Sequence, residues 1–277
     1  MIYIGASGYI HKDWQTAFYP RNMQQNKWLN HYSKYFNYLE IEHAGDTKTL
    51  TVNLTELAEE SENKLKIGIK INKEITKQNI NKSNISDNIN AAKILSKTLT
   101  AVQNRNWFGP ILLDFPFSFQ YSQSNFEKIK VLSACFIEFQ KCIEFQHDSW
   151  ISQDVVEFCS QNKITMCLRD APKFQNMFGI NNFLLTSDSS YIRFHGRNSA
   201  NWWQPAHPED QTDYLYSNKE LSVWFNNIAS KILNSVRDIF IVFNNPKNGY
   251  AVQNCAYLMK KFKIKAALPE QLELPFF

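Results

Sequence analysis

Tyr191-Ile192-Arg193-Phe194-His195 alternates strictly between apolar and polar side chains. On an extended chain Ile192 and Phe194 fall on one side, and Tyr191, Arg193 and His195 on the other. A strand with one apolar and one charged face needs apolar neighbours outside and polar company within. A sheet closed into a barrel inside a ring of helices provides both.

The same kind of run recurs to either side. Towards the N-terminus lie Thr165–Asp170, Cys142–His147, Ile111–Asp114, Ile67–Asn72, Tyr38–Glu42 and Ile2–Ser7, and towards the C-terminus Ile239–Asn245. Most of these runs end in a polar or charged cluster, and helix-like stretches separate most neighbours. Trp28, Leu29, Tyr32 and Phe36 form one stripe at helical spacing; Phe126, Ile129, Leu132, Phe136 and Phe139 form another, and residues 251–262 the last. The repeat predicts an α/β chain folded as a single (β/α)8 TIM-type barrel. The 277 residues suit one such domain, placed at 1–265, followed by a tail at 266–277. Asn72–Asn90 reads as a polar loop leading into a helix. The aromatic stretch Asn198–Asp213 reads either as a ligand wall or lid, or as a packed surface loop.

Composition bounds the function classes. Hydrophobic residues make up 44%, enough for a large core. The net charge of +4 permits an anionic ligand without demanding one. The five cysteines are odd in number and lack C-x-x-C spacing, as reduced thiols would. Met1 leads directly into the first strand, and no apolar run approaches the roughly 18 residues of a membrane span. These features predict a cytoplasmic protein with no membrane partner.

Strand parity locates a site. Applied to the other runs, the alternation points Glu40, Lys70, Asp114, Glu144, Asp170, Arg193 and His195 towards the barrel axis, at or near the C-terminal ends of the strands. Unpaired charge is expensive there, so the carboxylates should pair with Lys70 and Arg193 or hold a metal. The cations compete for the same carboxylates, and no compact ligand motif is present. No cofactor is therefore expected, and a divalent metal on Glu144, Asp170 and His195 is disfavoured. In the functional reading His195 is the acid–base group and Glu144 and Asp170 support it. Lys70 and Arg193 clamp an anion, and Glu40, Ser7, Asp114, Asn244 and Asn245 complete the pocket. The bland alternative is an internal salt-bridge network that only fixes barrel register.

A larger set of residues carries a resemblance. It comprises Gly5-Ala6-Ser7-Gly8-Tyr9, Trp14, Phe18-Tyr19-Pro20, Leu39-Glu40-Ile41, Ile69-Lys70 and Glu74-Ile75-Thr76. Further along come Gly109-Pro110-Ile111-Leu112-Leu113, Glu144-Phe145, His147, Ser149-Trp150, Tyr191–Gly196 and Phe243-Asn244-Asn245. From Ile4 to about Ala256 the chain resembles the YecE-like family, the domain of unknown function 72. The resemblance implies a TIM-type barrel and supplies no established reaction. The chain departs from the family's pattern at Glu42–Asp46, at Asp114 and at Gln146, where an aromatic wall and one cation are lost and an acid is gained. Those departures imply a different ligand or a lost activity.

The functional expectation is an enzyme, a hydrolase or lyase, acting on an anionic substrate that bears phosphate or derives from nucleic acid. One alternative is a non-catalytic module that binds a nucleotide or nucleic-acid end. Another is a metal-dependent sugar isomerase or phosphodiesterase. The last seven residues, Gln271-Leu272-Glu273-Leu274-Pro275-Phe276-Phe277, are similar to a bacterial sliding-clamp-binding peptide. Gln271, Leu274, Phe276 and Phe277 would make that contact. The alternative is a tail packed on the barrel.

Overall fold

The structure is a computed structural model that describes residues 1–42, 47–76, 85–179 and 184–264. The tail residues Gln271, Leu274, Phe276 and Phe277 and the departure at 43–46 lie outside the described residues. The element order is β1 Ile2–Ser7, α1 Trp28–Tyr32, β2 Tyr38–Glu42, α2 Thr47–Glu60, β3 Lys66–Lys70, α3 Lys73–Thr76, α4 Ile85–Leu99, β4 Phe108–Phe115 and α5 Gln123–Cys135. It continues with β5 Lys141–Phe145, α6 Gln153–Gln161, β6 Thr165–Met166, β7 Leu168–Asp170, β8 Ser189–Phe194 and α7 Asn218–Trp224. A π-helical turn Phe225–Ala229 joins α7 to α8 Ser230–Leu233, and β9 Asp238–Phe243 and α9 Tyr250–Lys261 follow.

All the strands pair in parallel, in the order β6-β5-β4-β3-β2-β1-β9-β8-β7. The two edges, β6 and β7, are consecutive in the chain and separated only by Cys167, whose N–H donates to the Ile143 carbonyl at 2.8 Å. They are one strand with a break, and the sheet closes there into a TIM-type barrel. Two differences from the expected repeat follow. A short helix, α3, stands within the stretch read as a polar loop. Among the described residues no helix lies between β7 and β8.

The core sits between strands and helices. Leu39, Ile67, Ile69, Ile111, Leu113, Ile143, Phe145, Ile192, Phe194, Ile241 and Phe243 leave the barrel outwards and are buried against the helical stripes. Trp28, Leu29, Tyr32 and Phe36 form part of that layer, as do Phe126, Ile129 and Leu132 of α5. Ser122 caps α5 by accepting from the Asn125 N–H, and Ser217 with Glu220 forms a reciprocal capping box on α7.

Inside the barrel a second, smaller cluster fills the lower half: Tyr38, Leu112, Cys142, Cys167, Tyr191, Phe240 and Val242, with Tyr3 packed on it. Gly68 is essential to it. A Cβ at Gly68 would stand 1.8 Å from the Tyr38 hydroxyl oxygen, so the phenol occupies the space of the missing side chain. All five cysteines are unbridged. No helix among the described residues is long and apolar enough to cross a membrane.

Candidate active site

Two residues further along several of these strands the interior becomes charged. Tyr38 is followed on the inward face by Glu40, Cys142 by Glu144, Cys167 by Arg169, and Tyr191 by Arg193. Arg193 is fully buried between two carboxylates: Nη1 donates to Glu144 Oε2 at 2.7 Å, and Nη2 to Glu40 Oε1 at 2.8 Å. Arg169 Nε donates to Glu144 Oε1 at 3.0 Å, and His195 Nε2 approaches the same oxygen at 2.7 Å. Glu40 also accepts from Ser7 Oγ at 2.8 Å and from the Tyr191 hydroxyl at 2.7 Å. The Tyr38 hydroxyl stands 3.0 Å from that of Tyr191 and completes a chain from the apolar layer into the charged one.

Proton positions follow from these contacts. The Asn244 amide nitrogen lies 3.0 Å from His195 Nδ1. An amide N–H needs an acceptor, so Nδ1 carries the lone pair and Nε2–H donates to Glu144. Burial pushes the His195 pKa below its ordinary value, against the pull of Glu144, and keeps the ring neutral. Burial would raise the Glu144 carboxyl, but His195, Arg193 and Arg169 together outweigh it and hold the group well below the usual carboxylate range. Burial and the nearby Glu40 raise the Tyr191 phenol well above its ordinary value, so it remains a donor.

A second polar group lies nearer the rim. Lys70 Nζ is 3.3 Å from Asp114 Oδ2 and 3.7 Å from Glu42 Oε2, and Gln146 Nε2 donates to Asp114 Oδ1 at 3.3 Å. Above the cluster the loop after β8 forms a wall. Trp202 is buried, with the Arg169 guanidinium carbon 5.7 Å from its ring centroid and the His195 ring edge-on at 6.4 Å. Trp203 is half exposed and meets Phe117 at 5.0 Å and Phe174 at 5.4 Å. The loop turns at Gly196, whose φ is +86° and where a Cβ would come 2.8 Å from Tyr214 Cβ.

The structure thus brings Ser7, Glu40, Glu144, Arg193, His195 and Asn244 together, and places Lys70 and Asp114 as a neighbouring pair. Two expected residues are elsewhere. Asp170 points away from the axis: Arg197 grips its carboxylate through two N–H groups, each at 2.7 Å, and Tyr216 donates to it at 2.8 Å. The cause is register, because Asp170 lies beside Phe194 and Arg169 beside Arg193. Asn245 is fully buried and donates to the Tyr214 carbonyl and to Asn254. It fastens the loop to α9. Arg169 joins the cluster as well, and the apolar Leu168 next to it on the outward face is the sequence signal for an inward Arg169. Arg193 is also not an open anion clamp, since two carboxylates engage it. Among the described residues no group of three His, Cys, Asp or Glu stands as metal ligands would.

A parallel barrel with its charged layer at the C-terminal ends of the strands defines a TIM-type barrel built like those that carry chemistry at that mouth. Within that class, the chain belongs to the family described as protein of unknown function DUF72, whose model matches residues 3–275. It is 22% identical over 286 residues to UPF0759 protein YunF of Bacillus subtilis (strain 168), covering 99% of this chain and 100% of that protein. A DUF72 family protein from Thermotoga maritima MSB8 is similar in structure, with a TM-score of 0.83 and 24% identity over 95% of this chain and 99% of that one. A DUF72 family protein from Enterococcus faecalis V583 has a TM-score of 0.76 at 18% identity, covering 100% of this chain and 97% of that one. At these identities the solved structures establish a shared fold.

Proposed function

We propose that this protein is an enzyme that moves a proton on a small anionic substrate at the barrel mouth. His195 is the acid–base group and Glu144 is the carboxylate that orients it. The supporting observation is the 2.7 Å contact of His195 Nε2 with a buried Glu144, while Nδ1 faces Asn244. A carboxylate that holds one ring nitrogen fixes the tautomer and stabilises the imidazolium formed when the other nitrogen takes a proton. Asn244 is only partly buried, so a substrate N–H or O–H can replace its amide at Nδ1. Asp170 has no part in this chemistry. Anion affinity falls to Arg169 rather than to Arg193.

A non-catalytic binding module is the second reading, favoured by the engagement of Arg193 by two buried carboxylates. Turnover of a phosphoester panel, with and without added divalent metal, separates the two. The enzyme reading expects turnover that His195→Gln lowers by about 100-fold or more with little change in melting temperature. Equal rates in the wild type and His195→Gln, or no turnover across the panel, would favour the binding module.

A further inference from the structure

Beside the connection from β7 to β8, which holds no helix among its described residues, lies a cavity of about 950 Å³. One wall is the end of β7 with the segment 171–179, including Phe174 and Phe178; the other is α7 and the π-helical turn, including Val223, Trp224 and Asn227. A regular barrel would place its sixth helix against α7 on this side.

The lining combines two chemistries. Its acids, Asp170 and Glu220, are both engaged by Arg197. Its remaining cations are the buried Arg169 and the exposed Lys173, Lys219 and Lys231, and these three lysines make no ion pair among the described residues. Between the cations stand the aromatic side chains Phe174, Phe178 and Trp224. Two independent features mark the helical wall. The helix is interrupted by a π-turn at Phe225–Ala229, an irregularity that recurs at functional sites. The Trp224 indole N–H is also buried without a partner among the described residues, a donor left over in this wall.

We propose that this cavity binds an anion carried on an aromatic body, such as an aryl phosphate. The ring lies between Phe174 or Phe178 and Trp224, and the anionic group faces Lys219, Lys231 and Arg169. Arg169 also donates to Glu144 at 3.0 Å, so the cavity and the central cluster share one guanidinium. The inference does not depend on the acid–base reading of His195.

Calorimetric titration with 1-naphthyl phosphate tests it, with inorganic phosphate and 1-naphthol as the separate halves. Saturable binding is expected, tighter for 1-naphthyl phosphate than for either half. The exposed double variant Lys219→Glu/Lys231→Glu should weaken it by about tenfold or more. Lys93→Glu/Lys97→Glu on α4 makes the same change in net charge far from the cavity and should stay within about twofold of wild type. Turnover in His195→Gln and binding in the lysine variants are read separately, so a failed acid–base reading and a failed cavity reading give different results. No saturable binding, phosphate binding as tightly as the naphthyl ester, or equal losses in the two charge-reversed variants would overturn the proposal.

Discussion

The barrel interior is divided into two layers that differ by one step of the strand repeat. Below, Tyr38, Cys142, Cys167, Tyr191 and Val242 pack as an apolar plug; two residues on, Glu40, Glu144, Arg169, Arg193 and Asn244 form a network of charges and polar groups. The backbone is the same in both layers, and so is the inward direction of the side chains. Only the side-chain chemistry changes. The lower layer needs good volume matching, as Gly68 and Tyr38 show. The upper layer needs every charge matched, because buried ions are tolerated only in pairs.

The sharpest way to break the comparison is Glu144→Ala. It leaves Arg169 and Arg193 each short of a buried partner, and the expected loss is about 3–5 kcal/mol in urea unfolding. The double variant Glu144→Ala/Arg193→Met should recover part of it. A single-variant loss no larger than that of an ordinary surface substitution would mean that the upper layer is not held by pairing.

Tyr191→Phe probes the junction between the layers. It deletes the donor to Glu40 and the partner of the Tyr38 hydroxyl while keeping the ring. The expected loss is about 1–2 kcal/mol, between the worth of a neutral hydrogen bond and that of one to a charged group. A neutral outcome in the same unfolding measurement would show that the two layers are energetically separate.

The gentlest test is acid. His195 has a folded pKa below its ordinary 6.5, so the unfolded chain takes up its proton first. Stability contributed by neutral His195 is therefore complete above 6.5 and declines as pH falls from there through the folded value. Glu144 acts in the same direction lower down, from its ordinary 4.5 through its depressed folded value. Melting temperature followed against pH in His195→Gln should show a smaller upper decline, the remainder belonging to His11 and His31, whose pKa values burial also lowers, and should keep the lower one. An unchanged profile would place the upper decline in another group.

Parity made most of this division legible. The alternation in Tyr38–Glu42, Lys66–Lys70 and Ser189–Phe194 sorts inward from outward residues because each strand has a clear apolar side. The sixth strand was harder. In Thr165–Asp170 the alternation is read as pointing Asp170 inwards, whereas the register sets Arg169 beside Arg193 and turns Asp170 to Arg197. Pairing was beyond the sequence for a different reason. That Arg193 would lie between Glu40 and Glu144 depends on strands far apart in the chain meeting across the axis, which alternation cannot specify. That the described residues after β7 form no helix is hidden likewise, since the repeat carries the expectation of a helix in every connection.

The break at Cys167 gives the barrel a mechanical character. A closed ring of backbone hydrogen bonds behaves as a hoop, and a hoop gives way at its thinnest section. β5 and β6 share only the pairs Cys142 with Thr165 and Ile143 with Met166, whereas β8 and β9 are in register from Ser189 to Phe194. The ion pair from Arg169 of β7 to Glu144 of β5 spans this weak seam from the inside, like a rivet across a clasp. The side chains that define the candidate site are then also the fastening of the hoop, and whatever loosens Arg169 from Glu144 loosens the ring itself.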